Sequence, residues 1–260
     1  MKKINSYLVV IIMVIAAASC KKSDPVITPS PTVDNFMTYN AGSVWHYQIA
    51  DNNTLGSIPD TFSLTASGKD TTALSGKVYT IFNRTDTAGT TYNYFNLTDH
   101  NYYQIGSLVS GLGTKESLYL NDTASVGYTW NDQVSIPLRQ KVQGQGVLNF
   151  GSVDLTVKNT IQEKGSQLIT LNGNHYSNFI KVKSEIISYT TNSSDPANYT
   201  LNATLNNQSF SSTYASKYGL IEKNVLLNLA TRVNITGNNT PVNLRINTNT
   251  TTILNKAELK

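Results

Sequence analysis

The stretch Leu74-Ser75-Gly76-Lys77-Val78-Tyr79-Thr80-Ile81-Phe82-Asn83 decides the fold class. Ser-Gly makes a tight hairpin turn in which glycine supplies a positive φ. Beyond it, Val78, Thr80 and Phe82 fall on one face of a strand and Tyr79 and Ile81 on the other. Residues that alternate with period two and suit a pleated surface read as β structure. The motif returns as Leu171-Asn172-Gly173-Asn174-His175-Tyr176, followed by the apolar strand Phe179-Ile180-Lys181-Val182. A second motif also occurs twice, as Gly42-Ser43-Val44-Trp45 and Gly127-Tyr128-Thr129-Trp130. The motif order is the same in both halves, with 31 residues from Trp to motif Gly in the first and 43 in the second. Two related halves would pack as equivalent β-meanders or extend one strongly curved sheet. Chance likeness among turn-rich strands is the competing reading. Each tryptophan reads as a core anchor that buries a large area and satisfies its N–H at an edge.

Outward from these motifs the pattern is strand and turn. Val44–Ile49, Thr61–Thr65, Tyr92–Leu97, Asn101–Ile105 and Ser117–Leu120 read as strands, with turn residues every 8 to 15 positions. Ser184–Thr191 is a further strand, followed by a polar loop over Thr190–Tyr199. Ser211–Ile221 reads as one strand. Asn224–Thr236 and Val242–Leu254 are a strand pair joined by Gly237-Asn238-Asn239-Thr240-Pro241, with Pro at the edge of the second strand. Composition agrees: of 260 residues only 14% are charged, and 15 Tyr stand against 7 Phe. Thr, Asn, Ser and Gly fill most of the remainder, which disfavours helical surfaces. The expected fold is all-β, with antiparallel meanders forming a curved sheet, an open half-barrel or a sandwich.

The N-terminus specifies a destination. Lys2 and Lys3 precede an apolar run, Tyr7–Ala18, of signal-peptide length and too short for a comfortable membrane span. It ends in Ala17-Ala18-Ser19-Cys20, and Cys20 is the chain's one cysteine. That pattern resembles the bacterial lipobox, which implies cleavage before Cys20 and acylation of its sulfur and amine. Two or more acyl chains make membrane anchoring stable. The expected organisation is a lipoprotein signal peptide over 1–19, a flexible tether over 20–35 and β-meander halves over 36–124 and 125–260. Loss of Lys2 and Lys3 lowers the net charge from +4 to about +2. With no Lys/Arg run interleaved with aromatics, nucleic-acid binding is not expected.

Three segments resemble an uncharacterised family of Bacteroidota outer-membrane lipoproteins. Gly42-Ser43-Val44-Trp45-His46-Tyr47 is similar to its G-x-x-W-x-Y opening. The segment from Leu118 to Trp130 is similar to its central L-x-L and V-G-x-x-W pattern. Tyr214-Ala215-Ser216-Lys217-Tyr218-Gly219-Leu220-Ile221 is similar to its Y-A-x-x-x-G-L-I segment, although the usual Y-A-K-G-V-G departs here. The resemblance implies a β-rich, lipid-anchored outer-membrane protein, some relatives having half-barrels that hold lipid. It implies no activity. Lys21-Lys22-Ser23-Asp24 holds one acid where such proteins carry an acidic surface-export run, so periplasmic and surface-facing placements both stand.

Catalytic and metal patterns are absent from the sequence. His46, His100 and His175 are widely separated, and no H-x-H or H-E-x-x-H spacing occurs, so no metal site or cofactor is expected. Asp99-His100 reads as a turn; a triad through it lacks a nucleophile motif. The five glutamates are Glu116, Glu163, Glu185, Glu222 and Glu258. Glu185 and Glu222 sit on expected strands, where edge or surface charge is the plain reading and a glycosidase pair the sharper one. Aromatics crowd the middle of the chain. Tyr92, Tyr94, Tyr102, Tyr103 and Trp130 are the candidates to line a ligand site, either stacking sugar rings or walling an apolar pocket. Thr71, Thr87 and Thr123 follow aspartates in a pattern similar to the O-glycosylation acceptor of Bacteroidota. The sequence thus points to a lipid-anchored envelope protein with a non-catalytic binding role, for an apolar or saccharide ligand or another envelope protein. A hydrolase assembled from scattered residues and a structural or adhesive surface module are the alternatives.

Overall fold

Alternating side chains carry the chain through twelve strands: β1 (Val44–Asp51), β2 (Asp60–Thr72), β3 (Val78–Asp86), β4 (Gly89–Thr98), β5 (Asn101–Gly106), β6 (Lys115–Asn121), β7 (Thr129–Val142), β8 (Gly146–Ile169), β9 (His175–Ser193), β10 (Tyr199–Ala215), β11 (Gly219–Ile235) and β12 (Val242–Glu258). This is a computed structural model, and it describes residues 35–54, 56–106, 115–142, 146–170 and 172–260. The signal peptide, Cys20, most of the tether and Leu171 lie outside the described residues. Among the described residues there is no helix. All strands join one antiparallel sheet in the order β6-β5-β4-β3-β2-β1-β12-β11-β10-β9-β8-β7.

The sheet closes on itself through its chain ends, because β1 pairs with β12 from Val44↔Glu258 to Asp51↔Thr250. β6 and β7 are left as the two edges. Tyr102 and Leu120, from β5 and β6, nevertheless pack in one cluster with Ile161, Ile180, Val182 and Tyr214 from β8, β9 and β10. The sheet therefore curls until its edges approach, as a nearly closed barrel with one unsealed seam. Trp130 Nε1 on β7 donates to the Leu118 carbonyl on β6 at 2.6 Å across that seam. Lys164 pins the connecting loop through the carbonyls of Asp122 (2.7 Å) and Ala124 (3.1 Å).

The two repeated motifs fold alike. In the β2–β3 turn, Ala73 N–H donates to Lys77 O and Gly76 N–H to Ala73 O; in the β8–β9 turn, Thr170 N–H donates to Asn174 O and Gly173 N–H to Thr170 O. Gly76 and Gly173 have φ of 81° and 80°, values that only glycine adopts cheaply. At the other motif, Gly42 and Ala66 exchange bonds through Ser43, and Gly127 and Ile161 exchange the same bonds through Tyr128. Six strands precede the seam and six follow it. Under that correspondence the paired β12–β1 junction is the counterpart of the open β6–β7 junction.

Aromatic rings form a connected network in one part of the interior. Trp45 meets Phe82, Phe82 meets Phe95, and Phe95 meets Tyr119, which also contacts Tyr102 and Tyr214. The segment before β1 enters this core: Phe36 and Met37 are buried, Phe36 N–H donates to the Tyr102 hydroxyl at 2.9 Å, and Met37 bridges Tyr218. A second cluster, from Ile136 and Val153 to Leu227 and Val233, lies between the long strands β7 to β12.

Two expectations need correction. Trp45 is wholly buried, but its indole N–H has no hydrogen-bond partner. Such an orphan donor costs about 1–3 kcal/mol, and the ring contacts with Phe82 offset it. Trp130, by contrast, is half-buried and bonded. Residues 211–221 are not one strand: the chain turns at Ser216–Tyr218, with Lys217 at φ 71° and bonded to Asn35 O, so that β10 and β11 form a hairpin. The alternation of apolar residues runs on through this turn, which hides it from a pattern reading. Strands β7 and β8 fall where the sequence reading sets none, and Val153, Leu155, Val157 and Ile161 alternate there onto the inner face.

Candidate functional site

Register separates the aromatic candidates. On β3 to β5, the inner face carries Phe82, Phe95, Leu97 and Tyr102; the partners of the opposite face are Ile81↔Tyr94, Tyr94↔Ile105 and Ile105↔Glu116. Tyr94 therefore sits on the outer face in a row from β3 to β6. Tyr92 and Tyr103 share that face, Tyr92 largely exposed. Tyr102 is wholly buried on the inner face, where its hydroxyl donates to Asp122 Oδ2 at 2.8 Å. Trp130 lies at the seam. The five aromatic residues thus occupy three places, and one face does not hold them all.

The outer face of β4 to β6 forms the floor of a groove of about 620 Å³, lined by Thr71, Thr72, Leu74, Ser75, Tyr94 and Glu116 with Ile105. Its far wall is the β2–β3 hairpin. The extra residues between Ala66 and Asp70 in the β2–β3 register bend β2 there. Volumes of about 300–1,000 Å³ are typical of small-molecule sites. A second cleft, of about 150 Å³ between Leu138 on β7 and Leu229 and Leu244 on β11 and β12, is too small for such a ligand.

Glu116 is the groove's charged centre. Its Oε1 is paired with Lys77 Nζ, and its Oε2 accepts from the Ser75 hydroxyl at 2.6 Å. Burial pushes this carboxyl up, but the bonds from Lys77 and Ser75 and the lysine charge outweigh it, so Glu116 lies below the ordinary carboxylate range. Lys77 also stands 3.4 Å over the Tyr103 ring centroid, a cation–π contact. Tyr79 lies beneath, wholly buried, its hydroxyl outside hydrogen-bonding geometry. Burial, then the Glu116 carboxylate beside it, push that hydroxyl far above its usual value. The Glu116 carboxylate is thus fixed and ionised, with lone pairs left for further donors.

The remaining sequence candidates are dispersed. Thr71 is half-buried and lines the groove, while Thr87 and Thr123 are exposed. His100 belongs to a turn in which Asp99 (φ 48°) and His100 (φ 66°) are both left-handed. Its Nδ1 lies 2.9 Å from Asp122 Oδ1, a close contact without aligned hydrogen-bond geometry. His46 neighbours Glu258 at 3.8 Å. Glu185 pairs with Lys183, and Glu222 accepts from Asn224, on strands that β10 separates. Among the described residues no three His, Cys, Asp or Glu side chains gather as a metal site. Sequence reasoning missed the roles of Lys77 and Glu116, because 39 residues separate them. The one available signal was that Lys77 follows the Ser75-Gly76 turn.

No protein-family model matches the chain, and no curated protein matches it. Among solved structures the chain is similar to a candidate lipoprotein from Parabacteroides distasonis ATCC 8503, at 13% identity and a TM-score of 0.49, over 86% of this chain and 99% of that one.

Proposed function

We propose that this chain is a lipid-anchored envelope protein whose outer-face groove binds a saccharide without cleaving it. The observation that carries the reading is Glu116, held ionised by Lys77 and Ser75 beside the partly exposed ring of Tyr94. A fixed carboxylate accepts hydrogen bonds from sugar hydroxyls. Thr71, Thr72 and Ser75 add hydroxyls that can donate or accept. Tyr94 and Ile105 offer apolar surface to the C–H face of a ring. The groove lining supplies one carboxylate, whereas glycosidic cleavage uses two. Anchoring rests on Ala17-Ala18-Ser19-Cys20 and the apolar run before it. Outer-membrane placement rests on the resemblance of the three motif segments.

The test is titration of the chain from residue 20, carrying Cys20→Ser, with a panel of neutral disaccharides, followed by NMR. One or more should bind saturably, and Glu116→Gln and Tyr94→Ala should each weaken binding by about tenfold, the equivalent of 1.4 kcal/mol. Absence of saturable binding across the panel, or binding indifferent to both substitutions, overturns the proposal.

A further inference from the structure

Consecutive strands alternate in direction, so the β2–β3, β4–β5, β6–β7, β8–β9 and β10–β11 turns all lie at one end of the barrel. The start of β1 and the end of β12 are there too, paired as Val44↔Glu258. The chain enters at this same end. Asn35 O accepts from the Lys217 N–H at 2.7 Å in the β10–β11 turn, and Met37 bridges Tyr218. Phe36 packs in the cluster that holds Tyr102, Ala124 and Trp130. The point of entry is therefore fixed by two neighbours, the β10–β11 turn and the β6–β7 loop over 122–128.

Both neighbours carry large apolar side chains in water. On the β6–β7 loop Val126 is 56% exposed and Tyr128 45%. The Tyr128 ring lies 5.9 Å from Trp130, which packs against the cluster of Phe36. On the other side, the buried Tyr176 of the β8–β9 hairpin meets the Tyr218 ring at 5.2 Å. Alternation then turns the next pair of that hairpin, Ile169↔His175, outward, and Ile169 is 63% exposed. The tip of the hairpin is held on the barrel end, because Asn172 Nδ2 donates to the Leu254 carbonyl at 3.2 Å. Lys217, at the entry itself, is exposed. Single exposed apolar residues are ordinary on a protein surface. Here three of them flank the place where the chain comes in.

We infer that this end of the barrel docks on a phospholipid bilayer, with Val126, Tyr128 and Ile169 at the boundary of headgroups and acyl chains. The inference rests on the lipid-anchored half of the reading above. Fifteen residues, Cys20 to Asp34, separate the anchoring position from Asn35, and they span at most about 50 Å. An anchored chain therefore keeps this end within that distance of the bilayer. Such a tether raises the effective concentration of the two surfaces to about the millimolar range, so a contact too weak to hold the free protein suffices. A tyrosine ring, apolar in body and polar at its tip, suits the membrane interface. Lys217 can lay its stem along the apolar residues and reach a headgroup phosphate. None of these residues lines the groove, so the docking and saccharide readings fail independently.

Cys20 is the chain's one cysteine, so the chain from residue 20 can be coupled through its thiol to maleimide-bearing lipid. The vesicles are phosphatidylcholine and phosphatidylglycerol in equal parts. The coupling supplies the tether whether or not a cell acylates Cys20, so failure of docking and failure of natural anchoring are read separately. Amide hydrogen exchange, followed by mass spectrometry, compares the tethered chain with the thiol-capped chain in solution. Exchange should slow by about tenfold on vesicles at the β6–β7 loop and the β8–β9 turn, the equivalent of 1.4 kcal/mol. It should stay unchanged at the β9–β10 and β11–β12 turns of the opposite end. Val126→Asp combined with Ile169→Asp should restore the solution rates, and the exposed control Ile187→Asp on β9 should not. Equal rates on and off vesicles, equal slowing at both ends, or slowing that survives the two aspartates overturns the inference. The same slowing in solution at raised protein concentration would assign the surface to a second copy and overturns it as well.

Discussion

Lys223→Met should change how stability depends on pH. In the folded chain, burial and then Arg84 depress the Lys223 pKa from 10.5 to about 8. An unfolded lysine keeps its ordinary value near 10.4. Between these values the unfolded chain binds the proton and the folded chain does not, so stability rises with pH. The gain is complete above about pH 10.5 and lost as pH falls through about 8. The displacement corresponds to about 3 kcal/mol at the usual conversion, and the partial exposure of Lys223 reduces it to about 2 kcal/mol. Methionine keeps the stem volume and cannot titrate. Urea unfolding of both proteins, followed by tryptophan fluorescence from pH about 7 to about 10, isolates the effect as a difference. Wild type should gain about 2 kcal/mol relative to the variant across that range. Buried tyrosines such as Tyr47 and Tyr119, pushed far above their usual values by desolvation, are common to both proteins and cancel. Arg84→Met should flatten part of the slope, because its charge is the smaller cause. Parallel profiles would mean that the ammonium is solvated in the folded chain. An opposite slope would mean that the fold favours the charged form.

Trp45→Ala should cost about 3–5 kcal/mol, whereas Trp45→Phe should cost clearly less, since it also deletes the orphan indole N–H; equal losses in urea melts would contradict that assignment. Gly165→Ala should destabilise by about 1–3 kcal/mol, because the new Cβ would stand 2.4 Å from Cε1 of the buried Phe179 ring; an unchanged melting temperature would show that the ring yields. Cys20→Ser should release the protein from the membrane fraction, and sedimentation with membranes after a high-salt wash would refute lipid anchoring. Peptide mass spectrometry of the native protein should find glycan on the exposed Thr87 or Thr123 rather than on the half-buried Thr71, and unmodified peptides throughout would end the glycosylation proposal.

The all-β class was legible because the strands are amphipathic with period two. Val78, Thr80 and Phe82 declare their face without help from any partner strand. The two Gly-centred turns were legible for a local reason as well: a left-handed glycine and two hydrogen bonds complete each within a few residues. The groove was legible only in fragments. Tyr94 and Thr71 were singled out for different purposes, and neither pattern indicated that one groove contains both. Tyr102 and Tyr103 are sequence neighbours with opposite fates, since alternation sends one to the core and the next to the outer face. Which of two faces is the inside is not written in a run of aromatics.

By itself the sequence determined what depends on neighbouring residues: strand periodicity, turn chemistry, the internal repeat as a pattern, and the apolar run that ends at Cys20. Tertiary structure alone decided what depends on curvature and register. Pairing of β1 with β12 joins the chain's ends and curls the sheet, and only that curl brings the Tyr47 hydroxyl to the Leu220 carbonyl. Lys77 and Glu116 meet because the β2–β3 hairpin bends over the outer face of β6, a contact across 39 residues. The open seam has the same origin. Both junctions between the halves carry equivalent motifs, and closing one of them leaves β6 and β7 apart, bridged among the described residues by the Trp130 indole N–H.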